Sequence, residues 1–163
     1  MSYIEENNTF GGWSMNEECF EYIKENLSYG KTILEFGSGF ATGELAKHYN
    51  MYSVENDDNF LNKYPSTYIH APIKKYEIPG SSFSGEKYFV PAKGFENERG
   101  WYDPDILKDN LPKEYDLILV DGPIGHYGRS GFLLHLEWFK SDVPIIIDDV
   151  HREPEKNLLE MIF

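Results

Sequence analysis

Apolar positions along this chain fall into two periods, and the switches between them mark out its elements. Phe20, Ile23 and Leu27 recur at helical spacing, which predicts an amphipathic helix closed by Tyr29-Gly30. Ser14-Met15-Asn16-Glu17 reads as its capping box, with Ser14 capping the first turn and Glu17 reaching back. Thr32–Phe36 is then a short apolar run of the kind that forms a buried parallel strand. After a glycine-rich turn the pattern gives a helix over about 42–49 and a strand over 51–55. Asp57 is placed to cap a helix reaching about residue 63, and Thr67–His70 reads as a third strand.

The alternation breaks over about 74–112, where Gly, Pro and Ser mix with Tyr76, Phe83, Tyr88, Phe89, Phe95, Trp101 and Tyr102. A connection of that length is rarely featureless, and its aromatic content argues for a packed lid or hairpin. Asp103-Pro104 has the form of an N-cap followed by proline at the first helical position, so a short helix is expected there. Strand and helix patterns then resume: a strand over 115–121, a helix over 130–140, a strand over 143–148 and a helix over 154–163. Strands and helices laid down in turn predict an α/β fold with a mainly parallel, doubly wound sheet, Rossmann-like and in three layers. One domain spanning 1–163 is expected, with the aromatic-rich stretch as an insertion in it.

Charge narrows the partners. The chain carries 15 Lys and Arg against 28 Asp and Glu, a formal net of -13. A field of that sign repels phosphate backbones and anionic lipid, and the densest basic pair, Lys74-Lys75, has no neighbouring cluster. Nucleic acid and membrane are therefore not expected as partners, and a small-molecule substrate is. The single cysteine, Cys19, allows no intrachain disulfide and reads as a small core residue. No stretch is apolar enough to span a bilayer and the N-terminus lacks a signal-peptide centre, so a cytoplasmic protein is expected.

Candidate chemistry sits where strands end. Glu35-Phe36-Gly37-Ser38-Gly39-Phe40-Ala41-Thr42-Gly43 lies between a strand and a helix, where glycines permit a sharp turn and a close ligand. Glu55 ends the next strand, a place from which a carboxylate accepts hydrogen bonds from ribose hydroxyls. A dinucleotide site needs G-x-G-x-x-G so that pyrophosphate rests on the helix N-terminus. Here the third glycine is displaced to Gly43, and Glu35 stands just before the turn. Its carboxylate would repel pyrophosphate and suits the ammonium and sulfonium of S-adenosylmethionine.

With the motifs Leu34-Glu35-Phe36-Gly37-Ser38-Gly39 and Val54-Glu55-Asn56-Asp57, the chain resembles the class I S-adenosylmethionine-dependent methyltransferases from about Ser14 onward. The resemblance implies that Glu35, Gly37, Ser38 and Gly39 hold the methionine part of the cofactor. It implies that Glu55 and Asn56 meet the ribose, and that His70, Ala71 and Ile73 flank the adenine. The run Val120-Asp121-Gly122-Pro123, followed by Gly125-His126-Tyr127-Gly128-Arg129, is similar to enzymes that methylate sugars or other small hydroxylated compounds. Asp121 then belongs to the cofactor site, and Asp121, His126 and His151 are the candidate bases for the acceptor hydroxyl. Gly11-Gly12-Trp13-Ser14 could close over the methionine end, or simply staple the first helix.

Ile145-Ile146-Ile147-Asp148-Asp149 ends a buried strand in two acids, which need a partner there. Some O-methyltransferases use such acids for a metal, so Asp121, Asp148 and Asp149 form a candidate site for Mg²⁺ or another divalent cation. The alternative is that one caps the last helix and pairs with Arg129 or Arg152. The family's sheet usually has seven strands, and the last two have no counterpart here. The edge left exposed could be covered by a second subunit, giving a homo-oligomer. Two other functions stay open: a cofactor-binding protein without transferase activity, and an NAD-dependent sugar-modifying enzyme.

Overall fold

In the computed structural model, described for residues 10, 15–77, 89–125 and 127–163, five parallel strands form the central sheet in the order β3-β2-β1-β6-β7. They are β1 (Thr32–Phe36), β2 (Asn50–Glu55), β3 (Thr67–His70), β6 (Leu117–Val120) and β7 (Ile145–Ile147). Two shorter strands, β4 (Ile73–Lys75) and β5 (Gly100–Tyr102), pair antiparallel outside that sheet. The helices are α1 (Glu17–Asn26), α2 (Phe40–Leu45), α3 (Pro104–Asn110), α4 (Gly131–Leu134) and α5 (Glu153–Ile162). This is the α/β Rossmann-like arrangement that the alternating pattern predicts.

Strand alternation explains the layers, because successive side chains on a strand point to opposite faces. Leu34 and Phe36 of β1, Val54 of β2, Ile118 and Val120 of β6 and Ile147 of β7 face one cluster, which also takes Leu107, Phe132 and Leu158 from α3, α4 and α5. Ile33, Met51, Leu117 and Leu119 face the other, against Phe20 and Ile23 of α1 and Ala41 and Leu45 of α2. Both faces of β1 and β6 are covered, which is why these strands read as continuous apolar runs rather than as alternating ones. No helix among the described residues is long and apolar enough to cross a membrane.

Several boundaries differ from the sequence pattern, each for a local reason. Helix α1 begins at Glu17, with Asn16 as its cap: the Asn16 side chain accepts from the Cys19 amide at 2.8 Å. Ser14, expected in that role, lies outside the described residues, as do Gly11, Gly12 and Trp13. The helix expected after Asp57 is absent. Asp57 Oδ1 accepts from both nitrogens of Asn59 at 2.9 Å, which favours a turn over a helical start, and Asn62 adopts φ 56°. Helix α2 starts earlier than the pattern suggests, directly on Gly39. The helix expected over 130–140 is broken into α4 and a 3₁₀ turn over Leu136–Trp138, with the His135 ring stacked on Trp138 at 4.1 Å.

The insertion is anchored through β5. Trp101 and Tyr102 are fully buried, with ring centroids 5.8 and 5.9 Å from that of Phe36. Asp103 caps α3 by accepting from the Asp105 amide at 3.0 Å, with Pro104 in the first turn, as the Asp-Pro pair predicts.

Candidate functional site

Carboxyl ends of parallel strands are where open α/β sheets leave a crevice, because the connections after adjacent strands diverge there. A cleft of about 180 Å³ opens at the ends of β1, β2 and β6. Its walls are Gly37 and Ser38 after β1, Glu55 to Asp57 and Phe60 after β2, Tyr102 from β5, and Asp121 to Ile124 after β6. Three carboxylates and no basic side chain line it. The volume is below the ~300–1,000 Å³ of pockets that enclose most of a drug-sized ligand, so a nucleotide would require the cleft to widen.

Glu55 is 5% exposed, and its Oε2 accepts from the Ser38 amide at 3.3 Å, which ties the end of β2 to the glycine turn. Burial pushes its carboxyl up to about 7; the Ser38 amide opposes that rise, and the neighbouring Asp57 charge adds to it. Ser38 Oγ shares a hydrogen bond of 2.7 Å with the Tyr68 hydroxyl on β3. The turn is thus held from two strands.

Glu35 stands elsewhere. By the alternation of β1 it faces the α1/α2 side with Ile33, and it is not part of the cleft wall. Its Oε1 accepts from Thr42 Oγ1 at 2.5 Å and from Ser53 Oγ at 2.8 Å, while Thr42 Oγ1 in turn accepts from the Gly39 amide at 3.0 Å. Burial pushes the Glu35 carboxyl up to about 8, partly opposed by Thr42 and Ser53 and reinforced by Glu55. Burial thus favours its protonated form, and Glu35 stands outside the cleft wall where the expected attraction for a ligand ammonium would act. Glu35 braces the turn from below. The acids that line the cleft are Glu55, Asp57 and Asp121 instead.

Gly37 has φ 89°, a left-handed conformation that costs glycine little. A Cβ there would stand 2.8 Å from the Asp121 carbonyl oxygen, and one on Gly122 would stand 2.8 Å from Gly37 Cα and 2.5 Å from the Tyr102 hydroxyl. The two glycines serve first to let the β1 and β6 loops touch, with Tyr102 filling the space beneath.

The acids after β6 and β7 come together as the motifs suggest: Asp121, Asp148 and Asp149 each bring an oxygen within 4.8 Å of the others. Arg129, 4% exposed, lies among them. Its guanidinium donates to the backbone carbonyls of Pro123, Asp148 and Asp121 at 3.2, 3.2 and 3.1 Å, and it pairs with Asp149 at 3.1 Å and Asp121 at 3.8 Å. Arg152 also pairs with Asp149, and both arginines approach the buried Glu155. By ligand type the three acids suit a hard cation. Asp149, however, already serves two guanidiniums, and a metal would have to take it from them. Burial and the Asp148 charge raise Asp121 well above the usual carboxylate range, against the pull of Arg129.

No family model matches the chain, and no curated protein and no solved structure matches it either. The likeness to methyltransferases rests on the motifs alone.

Of the expected site residues, Gly37, Ser38, Glu55, Asn56 and Asp121 line the cleft. Gly39 caps α2 just behind it. The residues expected to flank the adenine do not line the cleft. His70 is half-exposed and 3.5 Å from Asp58, Ala71 is buried with its amide on the Glu55 carbonyl at 3.0 Å, and Ile73 belongs to the β4/β5 pair. Phe60, after β2, does line it. His151 is exposed and outside the wall, and His126 lies outside the described residues. Thr42, Ser53, Phe60 and Tyr102 carry the site without having been singled out for it. Thr42 alone had a readable signal, a hydroxyl three residues after Gly39 at a helix start.

Proposed function

We propose that the cleft binds S-adenosylmethionine and that the chain transfers its methyl group to a hydroxyl of a small, sugar-like acceptor. The observation that carries this reading is the chemistry of the cleft wall: three acids, Glu55, Asp57 and Asp121, and no basic side chain in the lining, with Arg129 meeting Asp121 from outside it. A dinucleotide would bring a pyrophosphate into that field, whereas S-adenosylmethionine brings an ammonium and a sulfonium. Glu55, at the end of the second strand, accepts from the ribose hydroxyls. Asn56 and Phe60 flank the base end, and the Gly37–Ser38 turn takes the methionine end.

Transfer is an in-line displacement. The acceptor oxygen attacks the sulfonium methyl carbon, the carbon–sulfur bond breaks with its electrons returning to sulfur, and the acceptor proton leaves. Holding the two partners in line supplies much of the rate. In this reading Asp121 takes the proton: it lines the cleft, and burial raises its carboxyl above the usual carboxylate range, which makes it a stronger base. S-adenosylhomocysteine and the methyl ether are the products.

Asp121→Ala should abolish turnover in an acceptor screen while leaving S-adenosylhomocysteine affinity within a few-fold, about 1 kcal/mol or less. Full activity in that variant would remove Asp121 from the chemistry. Binding without transfer to any acceptor in the wild-type protein would leave a cofactor-binding protein rather than an enzyme.

A further inference from the structure

Tyr102 is fully buried, yet its hydroxyl has no hydrogen-bond partner among the described residues. A buried, unpaired hydroxyl costs stability, and a phenylalanine would fill the same space without that cost. The residue forms part of the cleft wall, which Glu55 and Asp121 also line. Gly122 is kept small where the hydroxyl lies, since a Cβ would come within 2.5 Å of it. A polar atom retained at a cost, on the wall of a cleft, is what a ligand contact requires before its ligand arrives.

The surroundings narrow the ligand atom. The wall is acidic, since Glu55 and Asp121 line the same cleft, and an acidic wall suits the cationic part of a ligand. A phenol oxygen accepts hydrogen bonds as well as donating them, and at the Gly37–Gly122 junction the Tyr102 hydroxyl has no partner among the described residues. The base and ribose are assigned to the opposite end, at Glu55, Asn56 and Phe60. Resting on the S-adenosylmethionine reading, we propose that Tyr102 binds the amino-acid end of the cofactor, its hydroxyl accepting from the methionine ammonium. Access to this oxygen requires the cleft to widen, as entry of a nucleotide also does. Tyr102 thereby makes the β4/β5 insertion part of the cofactor site, a role outside the motif residues.

The test is Tyr102→Phe in the full chain, titrated with S-adenosylhomocysteine and with 5′-methylthioadenosine, which lacks the amino-acid end. S-adenosylhomocysteine affinity should fall about tenfold, as for a lost hydrogen bond to a charged group. Methylthioadenosine affinity should stay within about twofold, and the unliganded Tm should be equal to or above that of the wild type. A lowered unliganded Tm, or a variant that does not fold, would assign the hydroxyl a structural partner and overturn the proposal. An unchanged affinity ratio between the two ligands would overturn it while leaving the cofactor reading intact. Failure of the wild type to bind either ligand would overturn both.

Discussion

Glu35 and Glu55 are buried acids on neighbouring strands, and their environments give them different tasks. Glu55 opens onto the cleft and bonds the Ser38 amide, so a ligand hydroxyl or cation can draw it into the ionised form. Affinity for S-adenosylmethionine should therefore rise as pH passes upward through about 7, the value to which burial lifts Glu55. Glu35 has no such outlet and retains its proton to about 8. Its carboxyl is raised in the folded chain from an ordinary value of 4.5, so across that interval the unfolded chain has lost a proton that the folded one keeps. Stability is present below 4.5 and declines as pH climbs toward 8. Glu35→Gln keeps an acceptor for Thr42 and Ser53 and removes the titration. The wild-type Tm should drop between pH 6 and pH 8.5, and the variant's should drop by less; parallel curves would show that Glu35 does not hold the proton.

At the scale of elements, the site is a junction of loops rather than a single motif. Gly37 and Gly122 meet backbone to backbone, so Gly37→Ala combines a left-handed φ with a 2.8 Å approach to the Asp121 carbonyl. A loss of about 1–3 kcal/mol is expected from the denaturation midpoint, together with weakened cofactor binding. No change in either would mean that the β1 and β6 loops do not depend on this contact. The loops after β6 and β7 are joined by Arg129, whose donors are spread over three carbonyls and Asp149. Because Arg129 and Arg152 already offset Asp149, titration with Mg²⁺ or Mn²⁺ should give no saturable heat. Saturable binding that Asp149→Asn abolishes would assign the three acids to a cation instead.

This is also the scale at which the sequence stops being legible. Strands β1 and β3 could be read to the residue, because apolar runs between turn signals have few other interpretations. The meeting of Asp121 with Asp148 and Asp149 followed from the single acid and the acidic pair each standing just after a parallel strand. What could not be read was side-chain direction at strand ends. Glu35 and Glu55 look equivalent in sequence, yet one turns under α2 and the other into the cleft. Tyr102 was one aromatic among many in the insertion, and only the packing of β5 against Phe36 brings it to the site.

For the whole molecule, a net charge of -13 sets a background that repels anions, and the cleft concentrates the same sign at the ends of β2 and β6. The fold alone would accept either a dinucleotide or S-adenosylmethionine, since both use the crevice beyond the parallel strands. Charge is what separates them. Calorimetric titration of the full chain at pH 8 with S-adenosylmethionine and with NAD, repeated on Glu55→Gln, addresses that choice directly. One-to-one binding of S-adenosylmethionine, weakened about tenfold or more in the variant, with no binding of NAD, is the expected result. Binding of NAD, or S-adenosylmethionine affinity that is indifferent to Glu55→Gln, would contradict it.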